Sequence, residues 1–252
     1  MTQLTNKHGI HDIIVRAIEK NSYDPGESDI TTTQLIDPPQ IVALKKMHKD
    51  EIVEDVADLL WILVGSAVHV ILERAAGDNV ISEKRFYVMV NGWKVGGQVD
   101  MIDGTTLYDF KVTSVWNYIY DDHKKYENQA NVNRYILSKN GINIEKLDNI
   151  LILRDWIKSK ATAAKSTGRY PNVQAQTVPL PKWPIEGCEY VVNERVKLHQ
   201  EAQKLTAEEL ASRFPCSTED RWYNPKKKEF IRCKSFCSVR NFCKQYKEII
   251  PG

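Results

Sequence analysis

The sequence predicts an α/β fold: a mixed central sheet with a three-stranded antiparallel meander, flanked by helices, plus a helical N-terminal region and a cysteine-rich C-terminal region. Three observations predict it. Residues 83–112 alternate with the period of strands and are cut by Asn91-Gly92 and Asp103-Gly104, dipeptides that favour tight hairpin turns. Apolar residues on either side of that stretch recur at helical spacing. All five cysteines (Cys188, Cys216, Cys233, Cys237 and Cys243) lie beyond residue 187.

In chain order, Ile10, Ile13, Ile14 and Ile18 predict a helix over 7–20. Residues 22–39 are turn-rich, and Pro38 and Pro39 start a short helix. Residues 51–76 read as one longer helix, or two meeting at Gly65. Strands follow at 83–90, 93–102 and 105–112, with Gly96-Gly97 expected to form a bulge. Residues 123–139 return to helical spacing, and 147–156 form a buried strand. Residues 158–187 are loop-rich and basic at Lys158, Lys160, Lys165 and Arg169; residues 190–212 read as one polar helix. A single domain is expected, with a cap over 1–60, a core over 61–157 and a C-terminal region over 158–252.

An apolar content of 42% is that of a soluble globular protein. The longest apolar run, around Ile62–Leu72, is interrupted by Gly65, Ser66 and His69, so no membrane span is expected. The N-terminus is polar, so no secretory signal is expected, and a cytoplasmic location is. Residues 221–247 hold nine Lys or Arg against Glu229 alone, a net +8 in a chain of formal charge +2, which leaves −6 elsewhere. Such a segment suits a polyanion, with Lys226, Lys227, Lys228 and Arg232 as candidate nucleic-acid contacts.

The hairpin turns set the faces of the strands. With Asp103-Gly104 as the turn, Ile102 pairs with Thr105 and Asp100 falls opposite Leu107. Leu107, Asp109 and Lys111 then share a face with Asp100, the two aspartates as diagonal neighbours roughly 7–8 Å apart. With Asn91-Gly92 as the other turn, Glu83 falls opposite Asp100, unless the glycine bulge flips it away. Converging carboxylates repel unless a cation lies between them, and oxygen ligands suit Mg²⁺ or Mn²⁺. Taken alone, such charges also fit a solvated sheet edge, and His69 alone fits a half-buried helix histidine.

GGQVD followed by YDFK resembles the signature of the PD-(D/E)XK nucleases, in the branch of RecB nuclease domains and CRISPR-adaptation nucleases. His69 in GSAVHVILE and Gln129 in ENQANVNRY stand where that branch places a helical histidine and glutamine. The position four after Gln129 is Asn133 rather than the branch's tyrosine; Tyr135 comes two residues later as a candidate DNA contact. TTTQLIDPP and the cysteine-rich end resemble bacteriophage members, which would place the chain in a host cytoplasm.

The resemblance implies a restriction-endonuclease-like core and metal-assisted hydrolysis of DNA. Asp100, Asp109, the Phe110 carbonyl and His69 would hold the ion; Lys111 would position the attacking water; Gln129 would orient Lys111 or the DNA. An exonuclease of recombination or repair is expected, working with a partner protein. The alternatives are an endonuclease, an RNA-preferring nuclease, or a catalytically silent DNA-binding module that imitates an adaptation nuclease.

Cys233, Cys237 and Cys243 have the spacing C-x3-C-x5-C, and Cys216 lies upstream. Four thiolates suit an iron–sulfur cluster or Zn²⁺; the alternative is a set of small buried apolar residues. Related nucleases hold such a cluster with one cysteine ahead of the nuclease motifs. This chain has no cysteine before Cys188 and departs from that pattern.

Overall fold

The structure is a computed structural model that describes residues 3–21, 24–120, 123–165, 168 and 170–248. The first elements are β1 (Gln3–Thr5), α1 (Asp12–Lys20), β2 (Ile30–Thr31), α2 (Thr32–Ile36), α3 (Pro39–Met47), β3 (Val53–Asp55) and α4 (Val56–Ala75). The meander is β4 (Ile81–Val90), β5 (Trp93–Asp103) and β6 (Thr106–Thr113). Then come α5 (Val115–Ile119), α6 (Lys124–Lys139), β7 (Lys146–Leu153), α7 (Lys158–Ala163), β8 (Ala175–Pro179), α8 (Ile185–Ala202) and α9 (Ala207–Arg213). The chain closes with β9 (Tyr223–Asn224), β10 (Glu229–Phe230), helical turns at Arg232–Phe236 and Arg240–Phe242, and α10 (Lys244–Lys247). Arg169, read as part of a basic stretch, lies outside the described residues.

The chain divides into two compact units, one of residues 1–22, 34–60 and 193–252, the other of residues 23–33 and 61–192. The second unit holds a mixed six-stranded sheet in the order β2-β5-β6-β7-β8, with β4 on the other edge of β5. β4–β5, β5–β6 and β7–β8 are antiparallel; β2–β5 and β6–β7 are parallel. α6 packs across β4, β5, β6 and β7 and buries Val132, Ile136 and Leu137. The mixed sheet flanked by helices is the fold the sequence predicts. β2 and β8, both short, were not expected as strands.

The first hairpin is as expected: Val90 pairs with Trp93, and Asn91 and Gly92 both take the positive φ that this turn requires. The second turn lies one residue further on. Asp103 pairs with Thr106 and Ile102 with Leu107, so Gly104-Thr105 forms the turn. There is no bulge at Gly96-Gly97, since one register runs from Val90↔Trp93 to Lys84↔Val99. Those glycines instead allow close approach: a Cβ at Gly96 would lie 1.9 Å from Ser28 Oγ, and one at Gly97 2.4 Å from Asn133 Oδ1.

The outer edge of β5 is divided. Val95 and Gly96 pair with β2, Met101 to Asp103 pair with β6, and Gly97 to Asp100 have no strand partner on that edge. Side chains occupy this gap. Asn133 Nδ2 donates to Gln98 O at 3.4 Å, and Thr32 Oγ1 donates to Asn133 Oδ1 at 2.7 Å. Asn133, the departure from the family pattern, thus closes the fork between strands.

α4 is one continuous helix through Gly65, not two. It begins where Asp55 Oδ1 accepts the Ala57 N–H. Its mean hydropathy of 1.8 and 20 residues make it long and apolar enough to cross a membrane by length and composition, contrary to expectation. Gly65, Ser66 and His69 are too few to dilute the surrounding Val, Leu and Ile.

In the first unit, Ile41, Leu44, Ile52, Ala202, Leu210, Cys216, Val239 and Cys243 form one apolar cluster. The helix expected over 190–212 is two. Thr206 and Glu209 form a reciprocal capping box that starts α9 afresh.

Candidate metal and active site

The fork in the sheet gathers the ionisable groups. Extending the β4–β5 register places Glu83 opposite Asp100, and extending β5–β6 places Asp100 opposite Asp109. The two aspartates are therefore direct rather than diagonal neighbours. The shifted turn moves both strands by one residue, which preserves the shared face. Glu83 adopts a φ of 46°, rare for a side chain of its kind. The ladder is in register on both sides of it, so this local strain re-aims one carboxylate without moving the strand.

His69 comes from α4. Its Nδ1 lies 2.9 Å from Glu83 Oε1 and 3.7 Å from Asp100 Oδ1. One ligand atom each from His69, Glu83 and Asp100 lies within 4.8 Å of the others, a group able to hold a metal ion. Gln98 Nε2 donates to Glu83 Oε2 at 2.7 Å, and Arg85 donates to Gln98 Oε1 at 2.7 Å. These contacts fix the carboxylate. The cleft beside it, about 540 Å³, is lined by Ser66, His69, Glu73, Glu83, Gln98 and Gln129 among others.

The second cluster is on β6. Lys111 Nζ donates to Asp109 Oδ1 at 2.7 Å and lies 2.6 Å from Oδ2. Gln129 Nε2 donates to the same Oδ1 at 3.2 Å. Asp109 Oδ2 is buried and meets the Lys111 ammonium as its one charged neighbour, with no further hydrogen bond. Lys111 Nζ also lies 5.8 Å above the Tyr126 ring. On β7, Asn149 pairs with Asp109 across the parallel ladder. It is fully buried, and neither amide atom has a protein partner.

The protonation states follow from this crowding. Burial, and then repulsion from Asp109, push the Asp100 carboxyl up to about 7. The hydrogen bond to Glu83, reinforced by Asp100, raises His69 above its ordinary value. Burial alone would raise Glu83, but its bonds to His69 and Gln98 win and lower it. Burial alone would lower Lys111, but Asp109 and Asp100 hold it above the usual range. An imidazolium and an ammonium thus offset the carboxylates where a divalent cation would otherwise do so.

The structure brings together Asp100, Asp109, Lys111, Gln129, His69 and Glu83. Phe110 contributes through its amide, which donates to Asp100 Oδ2 at 2.7 Å. Sequence reading missed Gln98, Arg85, Tyr126 and Asn149. Gln98 lies inside GGQVD, and Asn149 is a polar residue inside the apolar run LDNILIL; both were visible signals. Tyr135, read as a candidate DNA contact, is buried at 3% exposure with its hydroxyl donating to Glu189 at 3.4 Å.

Lys226, Lys227 and Lys228 are exposed beyond β9. Arg232 is not free for a polyanion. Its guanidinium pairs with Asp37 at 3.2 Å, both groups mostly buried, and donates to Asp220 O. A guanidinium so buried needs its carboxylate partner. Cys216, Cys233, Cys237 and Cys243 line one pocket with Gln40, Arg221 and Arg232. Cys216 Sγ donates to Gln40 Oε1, and burial pushes this thiol up to about 12. Cys188 lies apart, against Asn131 and Arg134. Among the described residues no three cysteine sulfurs lie within 4.8 Å of one another.

No family model matches the chain, and no curated protein does. Among solved structures, the crystal structure of SSO0001 superposes with a TM-score of 0.56 at 15% identity, over 93% of this chain and 96% of that one. An alkaline exonuclease, LHK-Exo from Laribacter hongkongensis, gives 0.39 at 11% identity, over 79% and 98%. The same exonuclease with dAMP gives 0.34 at 12% identity, over 73% and 93%. The likeness to SSO0001 is one of fold, and the two exonuclease superpositions are too loose to carry an argument.

Proposed function

We propose that this chain is a divalent-metal-dependent nuclease of the PD-(D/E)XK type that hydrolyses DNA phosphodiester bonds. One observation carries the reading: His69, Glu83 and Asp100 converge within 4.8 Å at a gap in the sheet, directly beside the Asp109–Lys111–Gln129 cluster. Histidine and carboxylate oxygens are a donor set for Mg²⁺ or Mn²⁺. His69, Glu83 and Asp100 would hold the ion, with Asp109 beside them, its Oδ2 shared with the Lys111 ammonium. When bound, it supplies Lewis acidity and offsets phosphate charge.

The remaining work falls to the protein. Lys111 holds a proton beside Asp109 and is placed to orient a water against the phosphate. Gln129 keeps Asp109 turned toward Lys111. Gln98 and Arg85 hold Glu83 in its strained conformation. Exonuclease action in recombination or repair is the preferred form, by analogy with the family alone.

Incubation of end-labelled single- and double-stranded DNA with Mn²⁺, and with EDTA, tests this reading. Metal-dependent shortening supports it. Binding without cutting under every metal condition favours a silent DNA-binding module. Cleavage of a closed circle identifies an endonuclease.

For the cysteines we propose an iron–sulfur cluster in preference to zinc. Zinc, with Zn–S bonds of about 2.3 Å, needs its thiolates tightly convergent, and among the described residues no three sulfurs lie within 4.8 Å of one another. A visible absorbance of the as-purified protein, bleached on oxidation, supports a cluster. A colourless, metal-free protein supports four buried thiols instead.

A further inference from the structure

Three exposed aromatic rings stand at the corner where β6 and β7 end, and the proposed chemistry uses none of them. Trp61 of α4 is 53% exposed, with the Arg154 guanidinium 4.6 Å above its ring. Trp116 of α5 and Tyr120, the residue that caps its C-terminus, 49% and 73% exposed, stack with centroids 5.7 Å apart and planes 22° from parallel. The two groups share one anchor. The Arg154 N–H donates to Thr113 O at 2.9 Å, and Asp155 accepts the Val115 N–H and the Ser114 hydroxyl. Thr113 is two residues beyond Lys111 on the same strand, so the corner continues the active strand.

The exposed side chains that follow β7 are mostly basic. Arg154, Lys158, Lys160 and Lys165 are exposed. The acid among them, Asp155, has both oxygens engaged in capping α5. Asp121 and Asp122 follow Tyr120 in the sequence but are followed in turn by Lys124 and Lys125. A single exposed aromatic is ordinary. Three on one corner, one of them under an arginine, with exposed lysines in the segment that follows Arg154, match what an unpaired nucleic-acid strand needs: flat faces for bases and cations for phosphates. A blunt duplex hides its base faces within its own stack and gains little from such a surface.

We propose that Trp61, Trp116 and Tyr120 form a stacking surface for unpaired bases of the DNA strand that enters the site, with Arg154, Lys158 and Lys160 on its phosphates. The chain therefore selects single-stranded or frayed ends. The link to cleavage rests on the nuclease reading; the binding surface does not.

The test compares wild-type protein, Trp61→Ala, Trp116→Ala and Tyr120→Ala in EDTA, where no metal supports cutting. A twelve-nucleotide thymidine strand and a blunt duplex of equal length are titrated while tryptophan fluorescence and anisotropy of the labelled DNA are followed. Each substitution is expected to weaken single-strand binding about tenfold and duplex binding far less, with Trp61→Phe restoring most of the loss. Circular dichroism and melting confirm that the exposed sites tolerate replacement. Unchanged single-strand affinity, or equal losses on both DNAs, overturns the proposal. With Mn²⁺ present, the variants are expected to raise KM for single strands and leave kcat. If wild type binds through these rings but never cuts, the nuclease reading fails and the surface stands. If wild type cuts and the variants show wild-type KM, the surface fails and the nuclease reading stands.

Discussion

The Asp100 carboxylate accepts the Phe110 amide at 2.7 Å where the β5–β6 ladder stops. A side chain thus takes the place of a strand carbonyl, and the amide that sheet pairing would have satisfied holds a candidate metal ligand in place. Oδ2 is committed to this bond, and Oδ1 turns toward His69.

Two substitutions separate these roles. Asp100→Asn keeps an acceptor for Phe110 and removes a buried charge that repels Asp109. It is expected to abolish metal-dependent cutting and leave the melting temperature unchanged or higher. Asp100→Ala leaves the amide unsatisfied, at a cost of about 1–3 kcal/mol, and is expected to lose both activity and stability. Differential scanning fluorimetry alongside the cleavage assay reads both outcomes; equal melting of the two variants would contradict this role for Asp100.

Metal binding is expected to release protons. Below its folded-state value of about 7 Asp100 holds a proton, and the hydrogen bond to Glu83 makes His69 keep its own proton more firmly than a free imidazole. A cation must displace both, so affinity falls as the pH drops through this range. Mn²⁺ titration calorimetry near pH 6.5, in two buffers of different ionisation enthalpy, measures the release. Identical heats in both buffers would exclude it.

Asn149 is a buried amide without a partner beside Asp109. Replacing it by Leu removes an unsatisfied polar group at similar volume and is expected to raise stability by about 1 kcal/mol or more. If the amide is kept to steady Asp109 in the metal-loaded state, cleavage falls as stability rises. A stabilised variant with full activity would assign Asn149 no part in the reaction.

His199 sets an acid limit on the first unit. Burial, and then the nearby Arg195, depress it to about 4, although its Nε2 bonds the Leu35 carbonyl at 3.0 Å. The unfolded chain takes up a proton near pH 6.5 and the folded one does not. This contribution is therefore complete above pH 6.5 and is lost as pH falls toward 4, at most about 3 kcal/mol. Urea unfolding of wild type and His199→Gln at pH 7.5 and pH 5 is expected to show the larger acid loss in wild type.

Much of this was legible in the sequence because it is local. Asn91-Gly92 fixed one hairpin, and the alternation in LYDFK placed Asp109 and Lys111 on one face. The second turn lies one residue beyond Asp103-Gly104 because Asp-Gly and Gly-Thr both fit a two-residue loop, and the even change of register leaves the faces intact. Gly96 and Gly97 looked like a bulge because local sequence does not show that Ser28 and Asn133 press against them. The split edge of β5, the strain at Glu83 and the partnerless Asn149 depend on contacts between distant segments. The capping box at Thr206 is local, a Thr with Glu209 three residues on, but it sits within a continuous polar helical pattern that hides the break.

The most direct test of the central claim is Mn²⁺-dependent shortening of end-labelled DNA by wild type, Asp109→Ala and Lys111→Ala, each first shown to be folded and to bind DNA in EDTA. Wild type is expected to cut and both variants to fall below about one-hundredth of its rate. Cutting by both variants at the wild-type rate, or no cutting by wild type with any divalent metal, would contradict the assignment of this site.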